Sequence, residues 1–131
     1  MLSRKLSRVL KMREPVVHVI DDDEALRESC RVLLEFHGVK VHLYGSAEEF
    51  CRQAVPLPID CMIIDLDMPG ISGLDLLEQL RTDGVITPAM FLTGRPIMQD
   101  VRSAAQRLSA VTFEKPMLPQ ELISAVKEAL R

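Results

Sequence analysis

The feature that most constrains the fold is a regular alternation of short apolar runs with longer segments of helical periodicity. Short apolar runs typical of buried strands occur at residues 16–20, 39–44, 61–64, 88–93 and 110–114. A segment with apolar residues at helical spacing follows each run. Gly38 ends the first such segment, and Ser46 with Glu49 forms a capping box for a second helix that we expect to extend to about Val55. The pattern predicts a doubly wound α/β domain, in which a five-stranded parallel sheet carries five helices on its two faces.

Length and composition agree with one folded domain. The chain has 131 residues, of which 47% are hydrophobic and 27% charged, values that argue against wholesale disorder. Charges interrupt every apolar run before it reaches the ~18 residues of a membrane span, so no membrane partner is expected. Cys30, Cys51 and Cys61 are odd in number and lack metal-ligand spacing, which predicts reduced, buried thiols in a cytoplasmic protein.

The charge is unevenly distributed. Residues 1–13 contain five basic residues and no acid, whereas the whole chain carries a net charge of −3. The remainder is therefore acidic, which argues against direct nucleic-acid binding through a broad basic face. The basic head also lacks the continuous apolar region of a signal peptide. We interpret residues 1–14 as a basic N-terminal extension and residues 15–131 as the folded domain.

Charged or hydroxyl-bearing side chains lie at the ends of four of the predicted strands. Asp21 and Asp22 follow the first strand, Asp65 ends the third, Thr93 ends the fourth and Lys115 follows the fifth. Because parallel strands bring their carboxyl ends to one edge, we expect these groups to converge. Carboxylates ~4 Å apart repel by about 4 kcal/mol per pair at an effective dielectric constant of 20, so a cation is needed, and Mg²⁺ suits oxygen ligands. A lysine and a hydroxyl beside the metal suit a phosphoryl group, which predicts an aspartyl-phosphate site with Asp65 as nucleophile.

Taken singly, most of these residues have ordinary structural explanations. Asp21 and Asp22 equally suit the cap of the following helix. Thr93 suits any strand end, and Lys115 suits a solvated surface. Asp65 is the hardest to explain structurally, because a buried unpaired carboxylate is costly.

Together, these motifs resemble the receiver domain of two-component response regulators. The matching motifs are Asp21-Asp22, residues 65–73, residues 91–94 and Glu114-Lys115-Pro116. The resemblance covers about residues 15–131 and implies the flavodoxin-like receiver fold with strand order 2-1-3-4-5. The sequences after Asp22 and around Ser46 are similar to receivers that precede a LuxR-type DNA-binding domain.

The resemblance also implies how the phosphoryl group is received. Asp65 would accept it from a phosphohistidine on a sensor histidine kinase or a histidine phosphotransfer protein. Asp22, Asp65 and the backbone carbonyl of Asp67 would hold Mg²⁺ directly, with Asp21 acting largely through water.

The resemblance further implies that three more residues would contact the phosphoryl group. Lys115 would bind its oxygens, aimed by a cis bond to Pro116, and the backbone at Gly94 would approach an oxygen closely. Thr93 would turn its hydroxyl toward the phosphate and thereby repack the surface of the fourth helix and fifth strand. This surface is also the one through which the resemblance allows a homodimer.

Three departures from the family pattern affect the output face. Thr112 stands where an aromatic residue is usual, and Phe113 lies one place later, on the opposite strand face. The usual small-residue turn before this strand is replaced by residues 107–110, and Met117 stands where Phe is common. Asp67 and Arg95 occupy positions that tune phosphate lifetime in the family.

Two other functions compete with the receiver. Asp65-Leu66-Asp67 also resembles the motif of haloacid-dehalogenase-like phosphatases, although in that family the nucleophile comes near the start of the domain. A receiver-like binding module that works without phosphate is the second alternative. Since only one further helix fits after Lys115, no helix-turn-helix is expected in this chain, and it should act through partner proteins.

Overall fold

Strands and helices alternate along the chain, as the sequence pattern predicts. The structure is a computed structural model that describes residues 13–53 and 58–131. Its elements, in chain order, are β1 (Val16–Ile20), α1 (Glu24–Phe36), β2 (Lys40–Tyr44), α2 (Ala47–Arg52), β3 (Cys61–Asp65), α3 (Gly73–Thr82), β4 (Ala89–Thr93), α4 (Gln99–Arg107), β5 (Ala110–Glu114) and α5 (Pro119–Ala129). Among the described helices, none combines the length and the apolar character that crossing a bilayer requires.

The five strands form one parallel sheet in the order β2-β1-β3-β4-β5. The chain starts in the interior of the sheet, moves to one edge at β2, and then crosses back to fill the other half. The direction reverses between β1 and β3, which is where such folds place their sites. The predicted fold class and strand order are both confirmed.

The two faces of the sheet carry separate apolar cores. Side chains alternate along β1, so that Val17 and Val19 pack under α1 and α5, together with Leu34 and Val126. The opposite core contains Tyr44, Phe50, Met62, Leu77 and Phe91, which lie under or beside α2, α3 and α4. Because β1, β3 and β4 are buried along their whole lengths, their carboxyl ends are held rigidly.

Side-chain caps fix the starts of three helices. Asp23, Ser46 and Ser72 accept hydrogen bonds from the amides of Leu26, Glu49 and Asp75 at the starts of α1, α2 and α3. One of the two hydrogen bonds of the predicted capping box, from the Glu49 amide to the Ser46 hydroxyl, is confirmed. In place of the second, the Glu49 carboxylate accepts from the amide of Gly45, at 2.6 Å, instead of that of Ser46.

Gly73 allows α3 to begin directly against the end of β3. A Cβ atom at this position would lie 2.7 Å from the carbonyl oxygen of Asp65 and 2.8 Å from Cγ2 of Ile64. A side chain there would force α3 or the end of β3 to shift, so glycine keeps the loop after Asp65 short and tightly packed.

Several element boundaries differ from the prediction. Helix α2 ends at Arg52 because Gln53 has an extended backbone, and Val55, the expected end of this helix, lies outside the described residues. Helix α4 begins only at Gln99, because the backbone of Met98 is extended. The part of the predicted N-terminal extension up to residue 12 also lies outside the described residues.

One cysteine prediction is wrong. Cys30 and Cys61 are buried free thiols as expected, whereas Cys51 is exposed. Cys51 follows Phe50, which points into the core, and the next residue along a helix is rotated away from the buried face. The prediction failed for Cys51 because the sequence does not show which face of α2 this residue occupies.

Candidate functional site

The polar residues that follow the strands meet at one edge of the sheet. Asp65 is paired in register with Leu92, and Thr93 with Glu114, so the third, fourth and fifth strands end nearly level. Asp21 follows directly after β1, and its amide is bound by the carbonyl of Tyr44 at the end of β2. The predicted convergence of Asp21, Asp65, Thr93 and Lys115 at the carboxyl edge is present in the structure.

Three carboxylates form an acidic cluster at the switch point. One oxygen from each of Asp21, Asp22 and Asp65 lies within 4.8 Å of the other two. Asp21 and Asp65 are only 1% and 2% exposed, whereas Asp22 faces solvent. An oxygen-only donor set of this charge and spacing is what Mg²⁺ prefers, so the residues present fit that ion.

Both oxygens of Asp21 are already engaged. Oδ1 accepts a hydrogen bond from the amide of Asp23 at 2.9 Å, and Oδ2 accepts one from Nζ of Lys115 at 3.1 Å. The carboxylate of Asp21 is therefore fixed in position, and its lone pairs are less available than those of exposed Asp22.

Lys115 supplies the countercharge within the cluster. Its Nζ lies 3.1 Å from Asp21 Oδ2 and 3.4 Å from Asp65 Oδ1. Burial opposes the charged form of Lys115, but the two carboxylates outweigh it, so the pKa of Lys115 is raised. The peptide bond between Lys115 and Pro116 is cis, as the resemblance implied.

Asp65 presents one engaged oxygen and one that is not hydrogen-bonded. Its Oδ1 accepts a hydrogen bond from the amide of Asp67 at 2.9 Å and also faces Lys115. Within residues 13–53 and 58–131, no donor is hydrogen-bonded to its Oδ2. Burial raises the pKa of Asp65 to about 6 and the Asp21 carboxylate adds to this, whereas the Asp67 amide and Lys115 act in the opposite direction.

Thr93 and Gly94, at the end of β4, adjoin Asp65 and Asp67 at the end of β3, and the space bounded by these residues and Lys115 is called the pocket below. The Thr93 hydroxyl donates to the Asp67 carboxylate, with distances of 3.1 Å to Oδ1 and 3.3 Å to Oδ2. The amide of Gly94 donates to Asp67 Oδ2 at 2.6 Å. The backbone amide of Gly94 thus binds an acidic side chain, and its predicted approach to a phosphoryl oxygen stays a prediction.

Two residues that hold the acidic loops in place were not predicted from the sequence. Arg27 donates from Nη1 to the carbonyl oxygen of Asp21 at 2.7 Å, and Glu48 accepts from the amide of Ile71 at 2.8 Å. One signal was available for Arg27. A cation in the first turns of a helix is unfavourable to the helix dipole, which suggests a specific partner nearby.

Comparisons with known proteins agree with this geometry. The family profile of the response regulator receiver domain matches residues 17–127. The transcriptional regulatory protein FixJ of Azorhizobium caulinodans is 44% identical over 117 residues, which cover 87% of this chain and 54% of FixJ. The response regulator protein TodT of Pseudomonas putida is 31% identical over 124 residues, covering 95% of this chain and 55% of TodT. The chain therefore spans about half the length of these curated relatives.

A solved structure supports the fold. A CheY-like response regulator receiver domain protein from Methanospirillum hungatei JF-1 superposes with a TM-score of 0.81 at 24% identity, covering 89% of this chain and 94% of that one. The shared architecture, the profile that spans most of the chain and the 44% identity to FixJ point in one direction. This chain belongs to the response regulator receiver domain family, the phosphoacceptor domains of two-component signal transduction.

Proposed function

We propose that Asp65 accepts a phosphoryl group from a phosphohistidine on a sensor histidine kinase or a histidine phosphotransfer protein. The observation that supports this most directly is Asp65 itself, a buried carboxylate with one oxygen facing Lys115 at 3.4 Å and the other not hydrogen-bonded within the described residues. The unengaged oxygen forms a bond to phosphorus as the phosphorus–nitrogen bond breaks. The imidazole keeps that electron pair and takes up one proton from solvent.

The acidic cluster is proposed as the Mg²⁺ site. Asp22, Asp65 and the backbone carbonyl of Asp67 would hold the ion directly. Asp21 would act largely through water, which agrees with both of its oxygens being engaged by Asp23 and Lys115. When bound, Mg²⁺ neutralises charge on the transferring phosphoryl oxygens.

Three further groups are proposed to bind the phosphoryl oxygens. Lys115 already lies beside Asp65 and would shift its ammonium toward the new phosphate. The Thr93 hydroxyl and the Gly94 amide both point into the pocket. These groups bind and neutralise charge, which is most of what phosphoryl transfer requires of a protein.

The output is proposed to be a change in a protein-interaction surface. We propose that movement of Thr93 repacks the surface of α4 and β5, where a second copy of the chain is one candidate partner. Val111 on β5 is 59% exposed, and its side chain lies on the side of this strand that faces away from α4. Thr112 lies on the core side of β5 and its hydroxyl is buried without a hydrogen-bond partner among the described residues, so the usual aromatic switch is absent here.

The division of the chain into an extension and a domain is also a proposal. We propose residues 15–131 as the receiver and 1–14 as an extension outside it, in keeping with a family profile that begins at residue 17. Arg13 nevertheless binds Asp60 through two hydrogen bonds of 2.8 Å, so the end of the extension is attached to the domain. We also propose a cytoplasmic location, where an exposed thiol such as Cys51 stays reduced.

We propose a phosphoacceptor that modifies itself and is not a turnover enzyme. The family profile favours this over a haloacid-dehalogenase-like phosphatase acting through Asp65 and Asp67. Turnover of many phosphomonoesters per chain would support the phosphatase instead. A receiver-like module that binds partners without phosphate would show neither turnover nor phosphorylation.

Acetyl phosphate with Mg²⁺ tests the proposal without a kinase. The Asp65 carboxylate would bond to phosphorus and release acetate. We expect intact-mass spectrometry to show one added phosphoryl group that requires Mg²⁺. Asp65→Asn should abolish the addition, because an amide oxygen is a poor nucleophile.

The matched control is Asp75→Asn, which removes an exposed acid from the first turn of α3. This variant should incorporate phosphate like the wild type. An unchanged mass of the wild-type chain, or phosphorylation of Asp65→Asn, would contradict the proposal.

A further inference from the structure

We propose that the Asp67 carboxylate occupies the phosphoryl-oxygen donors in the unphosphorylated protein and must leave them before a phosphoryl group can bind. The inference rests on the proposed function, because it concerns the same pocket. It assigns Asp67 a side-chain role that is separate from its backbone carbonyl. Asp67 is thereby an internal competitor that weakens anion binding beside Asp65.

The contacts of Asp67 are those of a bound anion. Its carboxylate accepts hydrogen bonds from the Gly94 amide at 2.6 Å and from the Thr93 hydroxyl at 3.1 Å. A backbone amide and a hydroxyl converging on one carboxylate form a donor set that suits any oxyanion. Both donors are therefore satisfied before a phosphoryl group arrives.

The Thr93 hydroxyl cannot serve two acceptors at once. A hydroxyl has one proton to donate, and here that proton is directed at Asp67. Its oxygen meanwhile accepts a hydrogen bond from the amide of Arg95 at 3.1 Å. For Thr93 to donate to a phosphoryl oxygen, its bond to Asp67 has to break.

Asp67 is held close to the phosphoacceptor by its own backbone. The amide of Asp67 donates to Asp65 Oδ1 at 2.9 Å, so the Asp67 side chain extends from the rim of the same pocket. A phosphoryl group on Asp65 would bring negative charge next to this carboxylate, and like charges repel. Occupied donors and repulsion act in the same direction, against binding of the anion.

The carboxylate has a route out of the pocket. The Asp67 side chain is 27% exposed, and Nε of Arg95, which is 84% exposed, lies 4.0 Å from its Oδ1. Rotation of Asp67 toward solvent and Arg95 would free Thr93 and Gly94 without moving the backbone. The displacement thus needs only a change of side-chain rotamer.

Beryllofluoride, a phosphoryl mimic, measures the competition at equilibrium. Its binding in the presence of Mg²⁺ can be followed by calorimetry for the wild type, Asp67→Asn and Asp67→Ala. We expect Asp67→Ala to bind about tenfold more tightly, which corresponds to about one charge-assisted hydrogen bond. Asp67→Asn keeps an uncharged acceptor and should gain less, about threefold. If Asp67 had only a structural role, its replacement would instead weaken the binding of beryllofluoride.

A second readout needs no ligand. Hydrogen exchange of the Gly94 amide should be faster in Asp67→Ala than in the wild type, because its acceptor has been removed. Unchanged exchange would show that Asp67 does not occupy this amide in solution and would overturn the inference.

The control variant is Asp100→Asn. Asp100 lines the same cavity between α3 and α4 as Asp67, but the hydrogen bonds to Thr93 and Gly94 come from Asp67. This variant should bind beryllofluoride like the wild type. An equal gain in Asp100→Asn would show a general effect of charge and overturn the inference.

The two proposals fail in different ways. Failure of wild-type protein to bind beryllofluoride and to accept phosphate from acetyl phosphate would remove the proposed function, and this inference with it. Normal wild-type binding with no gain in either Asp67 variant would overturn only the role of Asp67.

Discussion

At the scale of single residues, the site is a balance between one ammonium group and several carboxylates. Lys115 contacts both Asp21 and Asp65, which holds these two buried acids together. The same ammonium disfavours a cation in the acidic cluster, since like charges repel. Lys115 is thus proposed to stabilise the free site and the phosphorylated site while opposing Mg²⁺ binding.

Lys115→Met tests this balance. We expect Mg²⁺ to bind at least tenfold more tightly, because the variant removes a like charge ~4 Å away whose repulsion is about 4 kcal/mol at an effective dielectric constant of 20, well above the ~1.4 kcal/mol that a tenfold change requires. We expect phosphorylation by acetyl phosphate to fall sharply in the same variant, because the phosphoryl oxygens lose their cationic partner. Calorimetric titration with Mg²⁺ and intact-mass kinetics measure the two effects.

Lys127→Met is the matched control, since Lys127 is an exposed lysine on α5. It should change neither Mg²⁺ affinity nor phosphorylation. Weaker Mg²⁺ binding in Lys115→Met would contradict the charge balance.

The residues of the site differ in how well the sequence predicted them. Asp21, Asp65, Thr93 and Lys115 were predictable because the apolar runs mark where strands end, and parallel strand ends meet. The bond between Thr93 and Asp67 was not predictable, since it depends on how two loops from different strands pack. The same reason applies to Arg27, whose partner is a backbone carbonyl with no signature in the sequence.

At the scale of elements, the start of α3 ties the site to the packing of the sheet. Ser72 caps this helix, and Gly73 packs against the end of β3 at the carbonyl of Asp65. The alternation of strands and helices predicted each element, whereas this close approach needed the structure. The end of α2 and the start of α4 could also be located only from the structure, because Gln53 and Met98 have extended backbones that the apolar pattern does not indicate.

Arg81 connects the far ends of the same elements. Its guanidinium donates to the carbonyl oxygens of Val85, Thr87 and Leu108, which joins the end of α3 to the loop before β4 and to the end of α4. Burial lowers the pKa of Arg81. These bonds satisfy carbonyl groups that would otherwise lie partly buried without partners.

Gly73→Ala tests the importance of the close approach. A Cβ atom 2.7 Å from a backbone oxygen forces α3 and β3 apart, and overpacking of this kind costs about 1–3 kcal/mol. We expect a loss of that size in the free energy of unfolding by urea. We also expect slower phosphorylation of Asp65, whose carbonyl oxygen is the atom displaced.

Gly38→Ala is a control that distinguishes a steric clash from backbone strain. Gly38 has a φ of +79°, and no atom lies within 4 Å of the position that a Cβ would take, so alanine there meets only the conformational cost of about 1–2 kcal/mol. This variant should lose stability but phosphorylate like the wild type. Normal phosphorylation in Gly73→Ala would show that the loop after Asp65 tolerates the displacement.

At the scale of the whole molecule, a second polar cluster lies within the core, below the site. His18 is fully buried in β1, with Nδ1 3.0 Å from the Tyr44 hydroxyl and Nε2 3.3 Å from the carbonyl oxygen of Pro58. Because a carbonyl can only accept, Nε2 carries the proton and Nδ1 accepts from Tyr44. The neutral imidazole therefore satisfies both partners, whereas a second proton would place a charge in the core and make Nδ1 a donor to the Tyr44 hydroxyl.

Acid should destabilise the fold through this histidine. Burial lowers the pKa of His18, and the nearby His42 acts in the same direction, whereas the Pro58 carbonyl and Asp60 act against them. The unfolded chain therefore binds a proton near pH 6.5 that the folded chain does not bind until lower pH. The contribution of His18 is fully present above about pH 6.5 and is lost as pH falls, by at most about 1.4 kcal/mol per pH unit.

Urea unfolding between pH 4.5 and 7.5, followed by circular dichroism because the chain has no tryptophan, measures this slope. Asp65, whose pKa is raised to about 6, contributes a slope of opposite sign in the same range, so the informative quantity is the difference from a variant. His18→Phe should remove the acid-side loss attributable to His18, whereas His37→Gln, at an exposed position on the end of α1, should retain it. Equal pH dependence in the wild type and His18→Phe would show that His18 is protonated alike in the folded and unfolded chains, contrary to its burial between Tyr44 and Pro58.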